Sequence, residues 1–128
     1  MRDLEETDNI YASVLFHDDD GRKWLLNMIW NHRAPREFFG GIALQEYSVE
    51  KRALVGERRI IFEGTSLGCT EGPHLHRHNG YYYLLTAEGG TGYGHAVTMA
   101  RAKSIEGPYE TDPSGPVVTS RDDPDWPL

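Results

Sequence analysis

The chain has 128 residues, the length of one ordinary domain, and is acidic, with 20 aspartates and glutamates against 13 lysines and arginines and a net charge of -7. This balance, without a basic cluster, argues against nucleic acid or an anionic membrane surface as a partner. The single cysteine, Cys69, excludes an internal disulfide and a multi-cysteine metal site, and it is expected to be a buried or half-buried thiol. The charged start MRDLEETDN and the lack of a long apolar run predict a soluble, cytoplasmic protein.

Short β-rich segments follow one another along nearly the whole chain. The first two flank an Asp-Asp-Gly turn, and a later pair flanks Asn79-Gly80, a typical sequence for a tight hairpin turn. The sequence therefore predicts an all-β protein. The eight predicted strands cover residues 13–18, 22–30, 40–48, 58–65, 73–78, 81–87, 95–104 and, more weakly, 109–120.

The second half of the chain repeats the first, since Gly21 and Leu25-Leu26 match Gly80 and Leu84-Leu85 at a spacing of 59 residues. Two four-stranded antiparallel units at a regular spacing predict propeller blades, over about residues 10–66 and 69–120. An eight-stranded sandwich also has short strands at even spacing and stays an alternative. Two blades cannot close a propeller, so a partial propeller would expose apolar faces to a partner chain or to another copy.

Three histidines, His74, His76 and His78, occupy alternate positions directly after Glu71 in the string CTEGPHLHRHNG. Alternate residues of a strand project from the same face, and imidazoles are common metal ligands. The pattern therefore suggests a metal site, while Glu71 is the alternative candidate for chemistry.

Long strings of the sequence closely resemble the middle of the β-xylosidases of glycoside hydrolase family 43, from about residue 10 to the end of the chain. They include LFHDDDGRKWLLNMIWNHR, FGGIALQEYS, TEGPHL and GYYYLLTAEGGTGYGHAVTMARAKSIEGPYE. The resemblance implies the second and third blades of a five-bladed β-propeller. It also implies an axial pocket that binds terminal xylose or arabinofuranose units of small oligosaccharides and hydrolyses the glycosidic bond with inversion, without a cofactor. Of the three histidines the family motif shares only His74, which argues against a metal.

The resemblance also assigns catalytic positions. Glu71 in TEGPHL matches the family's general acid, which protonates the departing sugar oxygen. Ala12 in ASVLF stands where the family has DPSLF, with the aspartate that tunes this acid, and the 59-residue repeat also places Ala12 in register with Glu71. The acidic run Asp18-Asp19-Asp20 lies at the far end of the strand and is expected to be a solvated cluster. The family's general base belongs to the first blade, upstream of these residues, so the chain alone is expected to be inactive.

Four further residues are predicted to bind substrate. In each predicted blade the first strand starts at the active-site end, and the second strand returns to that same end, so both bring residues near the sugar. The four residues are Trp30, His74, Glu88 and Thr91. An aromatic face packs well against a sugar ring, and glycines after Glu88 allow close backbone approach. Core packing is the alternative for Trp30, and a solvated loop position is the alternative for Glu88.

The tight turn at Asn79-Gly80 also predicts which residues pair across the hairpin. Glu71 falls opposite Glu88, unless a bulge near Gly72-Pro73 shifts the register. Two facing carboxylates would let Glu88 influence the protonation of Glu71.

Two other interpretations of the chain stay open. In a non-catalytic carbohydrate-binding or interaction module, Ala12 would mark lost catalysis while aromatic side chains still bind sugar. In the other, the chain is a piece of a longer reading frame with no role of its own.

Overall fold

A computed structural model describes residues 8–31, 38–92 and 94–120, and within them the side chains of 8–12, 31, 38 and 39 are not described. The side chain of Ala12 therefore lies outside the described residues. In this part of the chain no helix is long and apolar enough to cross a membrane.

The described residues form two antiparallel β-sheets. The first four strands make one sheet in chain order, and the other five make the second, in which β7 pairs with β6, β8 and β9. The strands are β1 (Asp8–His17), β2 (Lys23–Asn31), β3 (Phe38–Ser48), β4 (Ala53–Phe62), β5 (Glu71–His78), β6 (Tyr81–Glu88), β7 (Ala96–Ala102), β8 (Glu110–Thr111) and β9 (Val118–Thr119). The predicted strand at 109–120 is split into β8 and β9, because Pro113 and Pro116 lack the N–H that a ladder needs. The all-β prediction is confirmed, and the sheets fit part of a five-bladed propeller.

The two hairpin turns differ in length. Asn79 and Gly80 both have positive φ, 48° and 79°, the conformation of the tight turn that the sequence predicts. The first turn is wider: His17 pairs with Lys23, and the Asp18 N–H donates to the Arg22 carbonyl at 2.9 Å.

The extra length of the first turn shifts the repeat by one residue. Leu26 pairs with Val14, whereas its 59-residue equivalent Leu85 pairs with His74, so β1 and β5 correspond at a spacing of 60 residues. The predicted register of Glu71 with Ala12 is therefore wrong by one position. The assignment of Ala12 to the tuning position rests on the family resemblance of ASVLF.

The core lies between the two sheets. Side chains on β6 alternate between buried and half-buried along the whole strand, so one face of the sheet is turned inward. Within the run of three tyrosines only Tyr82 is buried, as the alternation predicts, while Tyr81 and Tyr83 lie on the other face. The buried cluster consists of Trp24, Leu26, Met28, Ile42, Leu44, Ile61, Phe62, Leu75, Tyr82, Leu84, Ala100 and Ile105.

Asp18 joins the two sheets at the end where the hairpins turn. Its carboxylate accepts a hydrogen bond from the Tyr82 hydroxyl at 2.6 Å and one from Arg77 Nη1 at 3.1 Å. The Phe16 ring meets the Tyr82 ring edge-on, at 6.1 Å between centroids. Asp18 is only 8% exposed, so the prediction of a solvated cluster is wrong for this residue, although Asp19 and Asp20 are exposed.

Removal of the Tyr82 hydroxyl is expected to destabilise the pair of sheets. A hydrogen bond to a charged group contributes about 1.5–3 kcal/mol, so Tyr82→Phe should lower the free energy of unfolding by about that amount at pH 7. Urea denaturation measures it. Tyr83→Phe is the matched control, because Tyr83 lies on the opposite face of β6. Equal stability of Tyr82→Phe and the unmodified chain would contradict the contribution of Asp18.

The same contact predicts a loss of stability in alkali. Burial, with the Asp18 hydrogen bond next in size, raises the pKa of Tyr82 to about 12. The fold thus favours the neutral phenol, and this contribution is complete below the unfolded pKa of about 10 and disappears as the pH rises to about 12. Urea denaturation over this range should show a steeper fall for the unmodified chain than for Tyr82→Phe. Burial also raises the pKa of Tyr109, so part of the fall should persist in the variant.

Candidate active site

Glu71 is the first residue of β5, at the end of the molecule away from the hairpin turns. Since Asp18, after β1, meets Arg77 near the end of β5, the two turns lie together and the two strand starts lie together at the opposite end. The Glu71 side chain is half-buried, which leaves it accessible to a ligand. The start of β1, with Ala12, and the end of β2, with Trp30, belong to this same end.

The same bulge occurs near the start of β1 and near the start of β5, the first strand of each sheet. Glu71 pairs with Ala87 and His74 with Leu85, which leaves Gly72 and Pro73 opposite the single residue Thr86. In the first sheet Ala12 and Ser13 are likewise opposite Asn27. The bulge near Gly72-Pro73, which the sequence prediction named as its exception, moves the partner of Glu71 from residue 88 to residue 87, so Glu71 does not pair with Glu88.

Glu88 is a fully buried carboxylate at the end of β6, with 0% of its surface exposed. One oxygen accepts from the Thr65 backbone N–H at 2.8 Å and from the Thr70 hydroxyl, and the other accepts from the Thr65 hydroxyl at 2.7 Å. With both oxygens engaged inside the protein, Glu88 is neither a substrate-binding residue nor a solvated loop residue. Both interpretations are corrected, because alternation along β6 turns this side chain inward.

The loop between β4 and β5 carries the chain from the first sheet to Glu71. The Gly89 N–H donates to the Gly68 carbonyl at 2.8 Å, which attaches the loop to the residue after β6. Cys69 is exposed with φ of 49°, so the prediction of a buried or half-buried thiol is wrong. Its side chain is displayed on a loop instead of entering the core between the sheets.

Trp30 lies near the end of β2, and its half-buried side chain packs against the hydrophobic cluster. Part of the Trp30 side chain therefore packs against the core, as the alternative to sugar binding predicted, and part of it stays accessible. Its position depends on a bulge in β3: Ile29 pairs with Gly41 and Trp30 with Phe39, so Gly40 is the extra residue. A Cβ at Gly40 would come within 3.2 Å of the Ile29 carbonyl oxygen, which explains a glycine there.

The glycine-rich loop after β6 presents Thr91 to solvent. The His95 Nδ1 lies 2.5 Å from the Gly90 carbonyl oxygen, and the Thr119 hydroxyl donates to the His95 carbonyl at 3.0 Å. The exposure of Thr91 is compatible with its predicted contact to substrate, which stays a prediction. The sequence interpretation did not single out His95, although it lies just before β7 in the string GHAVTMA.

His74, His76 and His78 are all exposed on β5. Within the described residues, histidine, cysteine and carboxylate side chains form no group of three that could hold a metal ion. His74 is three residues beyond Glu71, on the outward side of the strand, and its contact to substrate stays a prediction.

A cavity of about 340 Å³ lies on the second sheet, away from the candidate site. Its lining includes Tyr83, Arg101 and Asp112, and none of the predicted site residues takes part.

Comparison with known proteins identifies the family. The sequence profile described as Glycosyl hydrolases family 43 matches residues 5–127. The chain belongs to glycosyl hydrolase family 43. A curated relative in this family, the beta-xylosidase of Bacillus subtilis (strain 168), is 58% identical over 118 residues, and the xylan 1,3-beta-xylosidase of a Vibrio species is 59% identical over 107 residues.

Solved structures agree with the family assignment. The crystal structure of xylan beta-1,4-xylosidase from Bacillus halodurans C-125 superposes with a TM-score of 0.86 and 59% sequence identity, over 91% of this chain and 22% of that chain. The Bacillus subtilis match covers 92% of this chain and 22% of the relative, and the Vibrio match covers 84% and 20%. The chain thus spans about a fifth of the length of each of these three proteins.

The sequence interpretation missed Thr65 and Thr70, whose hydroxyls bind Glu88. The one available signal was position, since Thr70 directly precedes Glu71 in TEGPHL. Threonine is common in β-proteins, and its partner here is 18 residues away along the chain, so the sequence could not reveal the contact.

Proposed function

We propose that the chain supplies the general acid and part of the sugar-binding surface of an inverting glycoside hydrolase that acts on terminal xylose or arabinofuranose units. The observation that carries the proposal is the position of Glu71 in a family 43 chain. Glu71 begins β5, is half-buried, and lies at the same end as Trp30 and the Thr91 loop. The substrate class follows from membership of family 43.

The chemistry needs two carboxyl groups with different tasks. A departing sugar oxygen is a poor leaving group, so a carboxylic acid must protonate it while a carboxylate on the opposite face activates water. In inverting enzymes the two groups are about 6.5–9.5 Å apart, which leaves room for that water. Glu71 is the proposed acid. No residue of this chain is assigned as the base.

The isolated chain is accordingly expected to show no hydrolysis of xylobiose, aryl β-xylosides or aryl α-L-arabinofuranosides above the buffer rate. General acid catalysis and binding contacts without an activated water leave little turnover. Sugar release measured over several hours checks this. Turnover that disappears in Glu71→Gln would contradict it and would show that the chain completes the site by itself.

The experiment that tests the proposed role of Glu71 places these residues in a longer relative. The matching segment of the Bacillus subtilis beta-xylosidase is replaced by this chain, which is 58% identical to it over 118 residues. We expect the chimera to hydrolyse xylobiose more slowly than its parent, because Ala12 stands at the tuning position, and Ala12→Asp to raise kcat by about tenfold or more. A folded Ala12→Asp chimera without hydrolysis would contradict the proposed function.

A non-catalytic carbohydrate-binding module is the second candidate, favoured by Ala12 alone. In that case Trp30 and the Thr91 loop would bind sugar without reaction. Calorimetric binding of xylose to the chain, weakened by Trp30→Ala, combined with an inactive Ala12→Asp chimera, would support it. Association with a chain that supplies further blades, self-association and cytoplasmic localisation stay predictions.

A further inference from the structure

A buried carboxylate next to the candidate acid has no assigned part in the proposed chemistry. Glu88 is the inward-facing residue at the end of β6, beyond Tyr82, Leu84 and Thr86 on the same face. Burial of a charged or polar group is costly unless hydrogen bonds replace those to water. Both oxygens of Glu88 are occupied by donors from Thr65 and Thr70. The carboxylate therefore binds another part of the protein tightly.

Glu88 binds the loop between β4 and β5, which leads directly to Glu71. Thr65 is near the beginning of this loop and Thr70 is its last residue, directly before β5. Glu88 thus connects both ends of the loop to the end of β6, and the bond from Gly89 N–H to the Gly68 carbonyl adds a third attachment. The loop cannot move at Thr70 without breaking the contact to Glu88.

Gly64 shows how closely the loop is packed around this carboxylate. Its φ is 85°, and a Cβ there would overlap the Thr70 hydroxyl and lie 2.9 Å from Glu88 Oε1. A glycine at position 64 therefore allows the backbone there to lie close to the Thr70 hydroxyl and the Glu88 carboxylate.

We propose that Glu88 is a positioning residue, which acts through Thr70 to fix the backbone from which the Glu71 side chain reaches the substrate. This inference rests on the proposed role of Glu71 as the general acid. Catalytic groups must be held close to their productive geometry, and an error of about 1 Å costs on the order of a hundredfold in rate. Glu88 meets this requirement, because it is a fully buried carboxylate that holds Thr70, the residue directly before the acid.

The chemistry of the three donors explains why the anchor is a carboxylate. One backbone N–H and two hydroxyls converge on Glu88, and a carboxylate offers acceptor positions on both oxygens. Glutamine has nearly the same shape but presents an NH₂ donor in place of one oxygen. Glu88→Gln should therefore weaken the attachment without creating a cavity.

The test uses nuclear magnetic resonance to measure amide exchange rates and backbone order parameters in the 128-residue chain. In Glu88→Gln we expect the Thr65 and Gly89 amides to exchange with solvent about tenfold faster or more, while the Leu84 and Ala100 amides stay within about twofold. The order parameter of the Glu71 amide should fall from about 0.85, typical of rigid backbone, toward about 0.6. Glu63→Gln is the matched control, because Glu63 is exposed at the first position of the same loop and its substitution removes the same charge.

Substitutions at Thr70 separate positioning from a general structural role. Thr70→Val should reproduce the loss of order at Glu71, and Thr70→Ser, which keeps the hydroxyl, should restore it. Unchanged order at Glu71 in both Glu88→Gln and Thr70→Val would overturn the proposal. So would exchange that rises equally over the whole second sheet. These measurements involve no turnover, so a failed general-acid assignment, seen in hydrolysis assays, is distinguishable from a failed positioning role.

Discussion

Glu71→Gln, introduced into the Ala12→Asp chimera with the Bacillus subtilis beta-xylosidase, is expected to lower kcat for xylobiose by about 10²- to 10⁴-fold, the usual contribution of a general acid. Glutamine preserves the size of the side chain and removes its transferable proton. The change should affect kcat more than KM, because protonation of the leaving oxygen is an interaction of the transition state.

The leaving group provides the internal control. A 2,4-dinitrophenolate departs without protonation, so hydrolysis of 2,4-dinitrophenyl β-xyloside should fall by less than about tenfold in the same variant. Equal losses on both substrates would contradict the assignment of Glu71, because they would point to misfolding or to lost binding. Glu63→Gln should leave both rates unchanged, since Glu63 is an exposed residue outside the candidate site.

Leu26→Ala is expected to cause the largest loss of stability, about 2–5 kcal/mol. Leu26 is 0% exposed and lies with Leu84 in the cluster between the two sheets, so its truncation leaves a cavity that the sheets can fill only in part. Urea denaturation followed by circular dichroism measures the loss.

Leu15→Ala is the matched control, because Leu15 is on the neighbouring strand β1 and is 42% exposed. Its truncation should cost less than about 1 kcal/mol. Leu84→Ala tests whether the two sheets form one cooperative unit. If they do, Leu26→Ala and Leu84→Ala should each lower the midpoint of one shared urea transition. Two separate transitions, each shifted by only one of the substitutions, would indicate that the sheets unfold independently.

The strand pattern and the turns were predictable because they depend on neighbouring residues. Alternation in YYYLLTAE indicates which side chains of β6 face the core, and Asn79-Gly80 adopts the positive φ values that its turn requires. Long strings over nearly the whole chain pointed to family 43, and TEGPHL among them pointed to Glu71. Each strand, the Asn79-Gly80 turn and the TEGPHL motif are encoded within about ten residues of chain, where sequence interpretation is strongest.

The pairing of residues at the candidate site depended on two single-residue irregularities, one in a turn and one in a strand. One additional residue in the turn at 18–22 moved Ala12 out of register with Glu71, and the bulge at Gly72-Pro73 moved Glu88 away from the position opposite Glu71. Each change is a single residue, yet side chains alternate with a period of two along a strand. A one-residue shift therefore exchanges the two faces and alters which side chains meet.

The sequence by itself determined that this protein is all-β, that its two halves repeat, and that its Glu71 motif belongs to family 43. Only the tertiary structure decided that Glu88 is buried against Thr65 and Thr70, that Asp18 joins the sheets through Tyr82, and that Cys69 is exposed. The physical reason is separation along the chain. Asp18 and Tyr82 are 64 residues apart, and the partner of a polar side chain at that distance is set by the packing of the two sheets.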